Sequence, residues 1–299
     1  MGKVIIGVHG LANKSPAKTL SLWWEKAITE GLEKNIKTDK KFNFIMTYWA
    51  NYLYKYPLHS DSDFSFDQLY NSEPYVPSDE GLKEYEDGLL DDLYSWNRGI
   101  IGNVTDFMKD RLNVNGIADM LLRKHLKDLA YYYSNTQMLK NAQGKKVLAR
   151  ELLRGLLRSE LEKNAKKEIM LITHSMGSII AYDVLREMEK DGKSFKISHF
   201  VTIGSPLGLP FVIDKIKREF KNTKTPENIE KSWINFADIK DVVAIDFRLS
   251  DDYTANKASI KPKDDLVYND YHIGENYNHH KSYGYLRAPE VSRHINSFL

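Results

Sequence analysis

The feature that most constrains this chain is a short junction. An apolar run, Glu168 to Thr173, passes through Thr173-His174-Ser175-Met176-Gly177 into a segment with Ile180, Val184 and Met188 at helical spacing. Strand, tight turn and helix follow one another, with a serine at the corner. A serine hydroxyl is a weak nucleophile, and a sharp corner with small flanking residues is what exposes it to a base. An ordinary strand-to-helix turn with a serine N-cap fits the same residues, so the rest of the chain has to decide between the two.

The surroundings favour an α/β architecture. Lys3 to Val8 reads as a strand buried on both faces. Ser15-Pro16 then reads as an N-cap and first helical residue ahead of Leu20, Trp23, Trp24, Ala27, Ile28 and Leu32 at helical spacing. Phe42 to Trp49 reads as a second strand. From about Asn51 to Lys140 the strand pattern lapses into an aromatic, turn-rich stretch and helical segments, among them one on Leu82, Tyr85, Leu89 and Leu93. A stretch this long exceeds the few residues that normally connect α/β elements, so it reads as a largely helical cap inserted into a single domain spanning 1–299. A helix on Leu148, Leu152, Leu156 and Leu161 precedes the serine junction. After it come a helix from Met176 to Lys190, a strand at His199 to Ile203, a helical stretch, a strand at Trp233 to Ala237 and a closing helix from Pro289. This alternation predicts a mostly parallel central sheet with helices on both faces.

Composition removes several functions. The 299 residues carry a formal charge of +2 with no block of one sign, which gives no footprint for nucleic acid or a charged membrane surface. With no cysteine, thiolate catalysis, disulfides and cysteine-bound metals are excluded. No apolar run is long enough to span a bilayer, the N-terminus reads as a strand and not a leader, and Ile6 stands where a myristoylation signal needs Ser or Thr. The expectation is a cytoplasmic protein without a transmembrane segment.

With its flanking elements, the serine junction resembles the nucleophile elbow of the α/β-hydrolase superfamily, Gly-x-Ser-x-Gly, with Thr173 in place of the first glycine. The resemblance covers Lys3 to Ala50 and about Lys166 to the C-terminus. It implies Ser175 as nucleophile and makes His9-Gly10-Leu11 the oxyanion loop, with the backbone N–H groups of Leu11 and Met176 as the donors that hold the developing negative charge. His9 itself reads as a structural hydrogen-bonder. The family's order of nucleophile, acid and histidine directs the search downstream of Ser175. Asp241 has the spacing of the family's acid loop, with Asp238 as the alternative. His280, followed by a Tyr-containing stretch and Pro289-Glu290-Val291, has the better fit for the base, with His279 as its rival. His294 lies inside the closing helix, and His272 has no such context.

Other motifs have plainer readings. Gly204-Ser205-Pro206-Leu207-Gly208 reads as a loop shaping the pocket floor. Asp61, Asp63 and Asp67 lack the glycine of a calcium loop, and Asn103-Val104-Thr105 matters only in a secreted chain. The resemblance therefore implies a serine hydrolase cleaving a small-molecule or lipid-like carboxylic ester through a Ser-His-Asp triad, with no cofactor and no metal. An acyltransferase on the same scaffold and a catalytically silent binding protein are the alternatives.

Overall fold

The computed structural model describes residues 2–58, 74–79, 81–85, 129, 131–192, 195–241, 243–244 and 246–299. Its frame is a six-stranded sheet built from β1 (Lys3–Val8), β2 (Phe44–Thr47), β5 (Glu168–His174), β6 (Ile197–Ile203), β7 (Ile229–Ala237) and β8 (Pro262–Leu266), in the order β2-β1-β5-β6-β7-β8. Every adjacent pair is parallel. Two short hairpins stand apart from it, β3 (Met138–Lys140) with β4 (Lys146–Leu148), and β9 (His272–Ile273) with β10 (Asn276–Tyr277).

Parallel strands need crossovers, and the helices that supply them cover both faces. On one face lie α1 (Ala17–Gly31), α7 (Ser282–Arg287) and α8 (Pro289–Phe298), which bury Leu20, Trp24, Ile28, Tyr283, Leu286, Val291 and Ile295 against Ile5, Met170, Ile172 and Val201. On the other lie α3 (Ala149–Lys163), α4 (Met176–Lys190) and α5 (Pro210–Phe220), packed on Val4, Ile6, Val8, Ile169 and Leu171. Leu153, Leu157 and Leu161 form the inward stripe of α3 and are almost fully buried, each worth roughly 1.5–3 kcal/mol by area removed from water. Arg154, on the same helix, is buried among Asp183, Glu187 and Glu219 at 2.5–2.6 Å, so one guanidinium pairs α3 with both α4 and α5. Among the described residues the other short helices are α2 (Ala50–Leu53), α6 (Leu249–Asp252) and a π-helical turn at Leu32–Ile36. Among the described residues, no helix is long and apolar enough to cross a membrane.

The predicted parallel α/β sheet is present, with two local differences. The first helix begins at Ala17, with Pro16 as its N-cap and no side-chain cap, because Pro16 holds ψ at 145° and lies outside the helix. Strand β8 has no counterpart in the sequence reading. It begins with a proline and carries Lys263, Asp264 and Asp265, which suits an edge strand and hides the apolar pattern of a central one. The expected helix on Leu82, Tyr85, Leu89 and Leu93 lies mostly outside the described residues, and its described part, 81–85, is irregular. Asp61, Asp63, Asp67 and the Asn103-Val104-Thr105 motif also lie outside them.

The strand order fixes where a site can form. The chain leaves β1 for β2 on one side and returns to β5 on the other, so the order reverses between β1 and β5. In open α/β sheets, the crevice beyond the carboxyl ends of two such strands is where ligands bind. Here those ends are His9-Gly10-Leu11 and His174-Ser175.

Candidate active site

Ser175 occupies the corner between β5 and α4 with φ 54° and ψ −130°, a conformation that non-glycine residues rarely hold. Its neighbours enforce the strain. The Ser175 N–H donates to the Ile203 carbonyl at 3.1 Å, and its own carbonyl accepts from Ser178 N–H at 2.9 Å. Gly177 lets the first turn of α4 lie directly on the end of β1, since a Cβ there would stand 2.6 Å from the Val8 carbonyl oxygen and 2.8 Å from that of His9. Thr173, the departure from the elbow pattern, sits fully buried with its hydroxyl 3.2 Å from the Val201 carbonyl oxygen. The turn accommodates the larger residue because β6 supplies an acceptor for it.

The structure brings Asp241 and His280 together. His280 Nδ1 lies 2.8 Å from Asp241 Oδ2, and both side chains are buried. The Tyr285 hydroxyl donates to the same oxygen at 2.7 Å, and the Val243 N–H donates to Oδ1 at 2.8 Å. Burial works against the Asp241 charge, but His280 and these donors outweigh it and hold its pKa below the ordinary carboxylate value. An ionised Asp241 only accepts, so the His280 proton sits on Nδ1 and the lone pair on Nε2. Burial, with Asp241 alongside, pushes the Tyr285 hydroxyl well above its usual pKa, so it remains a donor.

The rival pair is also close in space. His279 Nδ1 lies 3.3 Å from Asp238 Oδ2 and 3.1 Å from the Asn269 carbonyl oxygen. Asp238 is occupied with backbone: Oδ1 accepts from Lys240 N–H and Oδ2 from Asn269 N–H, both at 2.7 Å. Asn269 in turn donates to the carbonyls of His279 and Lys281, fixing the segment that carries His280. His280 shares a cavity with Ser175, Gly10 and Leu11; neither His279 nor Asp238 lines it. Leu20, Trp23 and Trp24 of α1, Tyr283 of α7, Lys14 and Lys281 complete much of the wall.

The other histidines separate by environment. His9 accepts from Trp49 N–H through Nε2 at 3.1 Å, which leaves the proton on Nδ1 to bond the Gly10 carbonyl at 2.8 Å. Burial, reinforced by the charge of Lys14, pushes its pKa down to about 3, so it is a neutral brace for the loop, as its sequence reading expected. His294 packs against His199 and Phe236 on α8, and His272 Nδ1 lies 2.7 Å from the Gly274 carbonyl oxygen in the β9–β10 hairpin. The Leu11 and Met176 side chains are both buried in the core, and Met176 opens α4, where the first N–H groups have no partner within the helix.

Sequence reasoning missed three contributors. The sequence marks Tyr285 only as part of a Tyr-containing stretch, gives Asn269 no signal and leaves His174 an unspecified position of the elbow. Gly204, expected on the pocket floor, lies beside the Asp241–His280 pair: a Cβ on it would stand 2.8 Å from Asp241 Oδ2 and 3.2 Å from His280 Nδ1. Among the described residues, no group of three or more His, Cys, Asp or Glu side chains is placed to hold a metal ion.

The parallel sheet, its helices on both faces and the strained serine at the switch point define an α/β-hydrolase-like chain. Residues 152–217, from α3 through the serine corner into α5, match the family model described as Lecithin:cholesterol acyltransferase. No curated protein matches the chain. Among solved structures, the RedJ thioesterase from the prodiginine biosynthetic pathway in Streptomyces coelicolor is similar over 100% of this chain and 90% of that one, at 9% identity and a TM-score of 0.36. That likeness is too loose to inform the chemistry.

Proposed function

We propose that this protein is a serine hydrolase that cleaves carboxylic esters through an acyl-enzyme. Ser175 Oγ attacks the ester carbonyl, His280 Nε2 takes its proton and returns it to the leaving alcohol, and Asp241 holds the imidazole in the tautomer that leaves Nε2 basic. The N–H groups of Leu11 and Met176 receive the oxyanion, and water on the same route releases the acid. One observation carries this reading: a serine strained to φ 54° opens into the same cavity as a histidine whose other nitrogen is 2.8 Å from a buried carboxylate. No cofactor is needed for these steps. A single domain with a cap over about residues 51–140, a small-molecule or lipid-like ester as substrate and a cytoplasmic location belong to the same proposal.

The match of residues 152–217 to an acyltransferase family supports a second reading, in which an alcohol replaces water at the acyl-enzyme. The test for both is direct. A fluorophosphonate probe should label the wild-type protein at Ser175, and Ser175→Ala should lose both labelling and hydrolysis of p-nitrophenyl acetate while keeping its circular dichroism spectrum. Retained turnover in the Ala variant removes Ser175 as nucleophile. Faster release of p-nitrophenol on adding a primary alcohol, with a transfer ester as product, assigns the acyltransferase reading.

A further inference from the structure

His174 stands between the parts of the site and has no role in the scheme above. It is buried, one residue before Ser175, and its Nε2 lies 2.7 Å from the backbone carbonyl oxygen of His280. A carbonyl only accepts, so His174 Nε2 carries the proton and donates it. The two imidazole centroids are 4.6 Å apart. On its other side the ring meets the oxyanion loop, where a Cβ on Gly10 would come within 3.0 Å of His174 Nδ1. One ring therefore touches the loop of the oxyanion donors, belongs to the strand of the nucleophile and bonds the backbone of the base.

The geometry points to His174 as a positioning residue for His280, an assignment that rests on the esterase reading. The His280 loop is also held through Asn269 at His279 and Lys281, the residues on either side, through Asn278 Oδ1, which accepts the His280 N–H at 3.2 Å, and through Asp241 at the His280 ring. None of these contacts ties the loop to the strand that carries Ser175; the His174 bond does. Burial, with the nearby His280, Lys14 and Lys281, holds His174 neutral far below the ordinary histidine range. It therefore keeps one donor arrangement across the working pH range and adds no charge next to His280 when that ring becomes an imidazolium during acyl transfer. Misplacing a catalytic group by about 1 Å can cost on the order of a hundredfold in rate, so a strut of this kind acts on kcat more than on KM.

The test compares His174→Met and His174→Gln, which match in length and differ in the N–H donor. At equal folded fraction, we expect the Met variant to lose about 30- to 100-fold in kcat on p-nitrophenyl acetate with KM within about threefold, and to label more slowly with a fluorophosphonate by a similar factor. The Gln variant should recover to within about fivefold of wild type, since its amide replaces the lost donor. If the Met variant does not fold, His174→Phe takes its place as the donor-free ring. A donor-free variant as fast as wild type overturns the assignment, and so do Met and Gln variants slowed equally. A wild-type protein that neither labels nor turns over would instead bring down the esterase reading itself, which keeps the two failures apart.

Discussion

Gly204→Ala tests the site's packing with a single methyl group. Gly204 follows β6 with φ 53°, and an added Cβ would stand 2.8 Å from Asp241 Oδ2, 3.1 Å from Tyr285 Cε2 and 3.2 Å from His280 Nδ1. Two costs follow. A left-handed backbone with a Cβ costs about 1–2 kcal/mol, and inserting a methyl into a filled site costs about 1–3 kcal/mol. Relief of the 2.8 Å clash must move Asp241, because the surrounding backbone is held by β6 and β7. The expected result is a loss of about 2–5 kcal/mol in stability, a fall of several degrees in thermal midpoint, and a drop in kcat/KM of at least about tenfold as the Asp241–His280 bond lengthens. Gly144→Ala is the internal control: φ there is 76° with nothing within 4 Å of the added Cβ, so it should show the backbone cost alone and unchanged activity. The measurements are thermal unfolding, ester hydrolysis and fluorophosphonate labelling on both variants. If Gly204→Ala matches Gly144→Ala in stability and wild type in rate, the close packing around the Asp241–His280 pair does not hold in solution.

Two further outcomes separate the neighbouring pairs and probe acid stability. Asp241→Asn should lower kcat by about 10³- to 10⁴-fold by disturbing the His280 tautomer, whereas Asp238→Asn, whose partners are mainly backbone N–H groups, should cost stability and leave kcat within about tenfold; the reverse ranking in steady-state kinetics would transfer the acid's role to Asp238. His9 and His294 are held neutral, with pKa values pushed down to about 3 and about 4, chiefly by burial. Each binds a proton in the unfolded chain before it does in the native one, so their contribution is complete above pH about 6.5 and falls as pH drops toward the folded values, by about 2 kcal/mol each at pH 5, with His174 acting in the same direction. Urea unfolding at pH 7.5, 6 and 5 should show this decline, and a stability unchanged from pH 7.5 to 5 would contradict the burial of these rings.

How much of this was legible in the sequence depends on how local each signal is. Strands β1 and β5 are buried on both faces and read as apolar runs; the serine corner is five consecutive residues, and α4 starts at Met176 as its spacing predicts. Edge strand β8 is solvated enough to carry Lys263 and two aspartates, so its pattern was invisible. The choice of Asp241 and His280 came from chain order and motif context, and what the sequence could not express was the pair's environment. Asp238 and His279 are three and one residues away from their rivals and differ from them in the partners they meet, and His279, unlike His280, does not line the Ser175 cavity; spacing expresses neither difference. Tyr285, Asn269 and His174 act through hydrogen bonds to residues well separated from them in sequence, and no spacing rule marks such contacts.

The parallel sheet explains why residues from Gly10 to Tyr285 meet at all. Parallel strands deliver all their carboxyl ends to one edge, and the order β1-β5-β6-β7 sets Gly10, Ser175, Gly204 and the Asp238–Asp241 loop side by side there. The edge can hold a strained serine, at a cost of about 1–3 kcal/mol, because the same neighbours fix it from several directions: Ile203 from β6, the end of β1 through Gly177, and Ser178 from within α4. Relaxing Ser175 would require breaking hydrogen bonds that also align β6 and α4. The reactive conformation is therefore bound to the integrity of the sheet, and substitutions that loosen the β1–β5 or β5–β6 junction should reduce labelling of Ser175 before they unfold the chain.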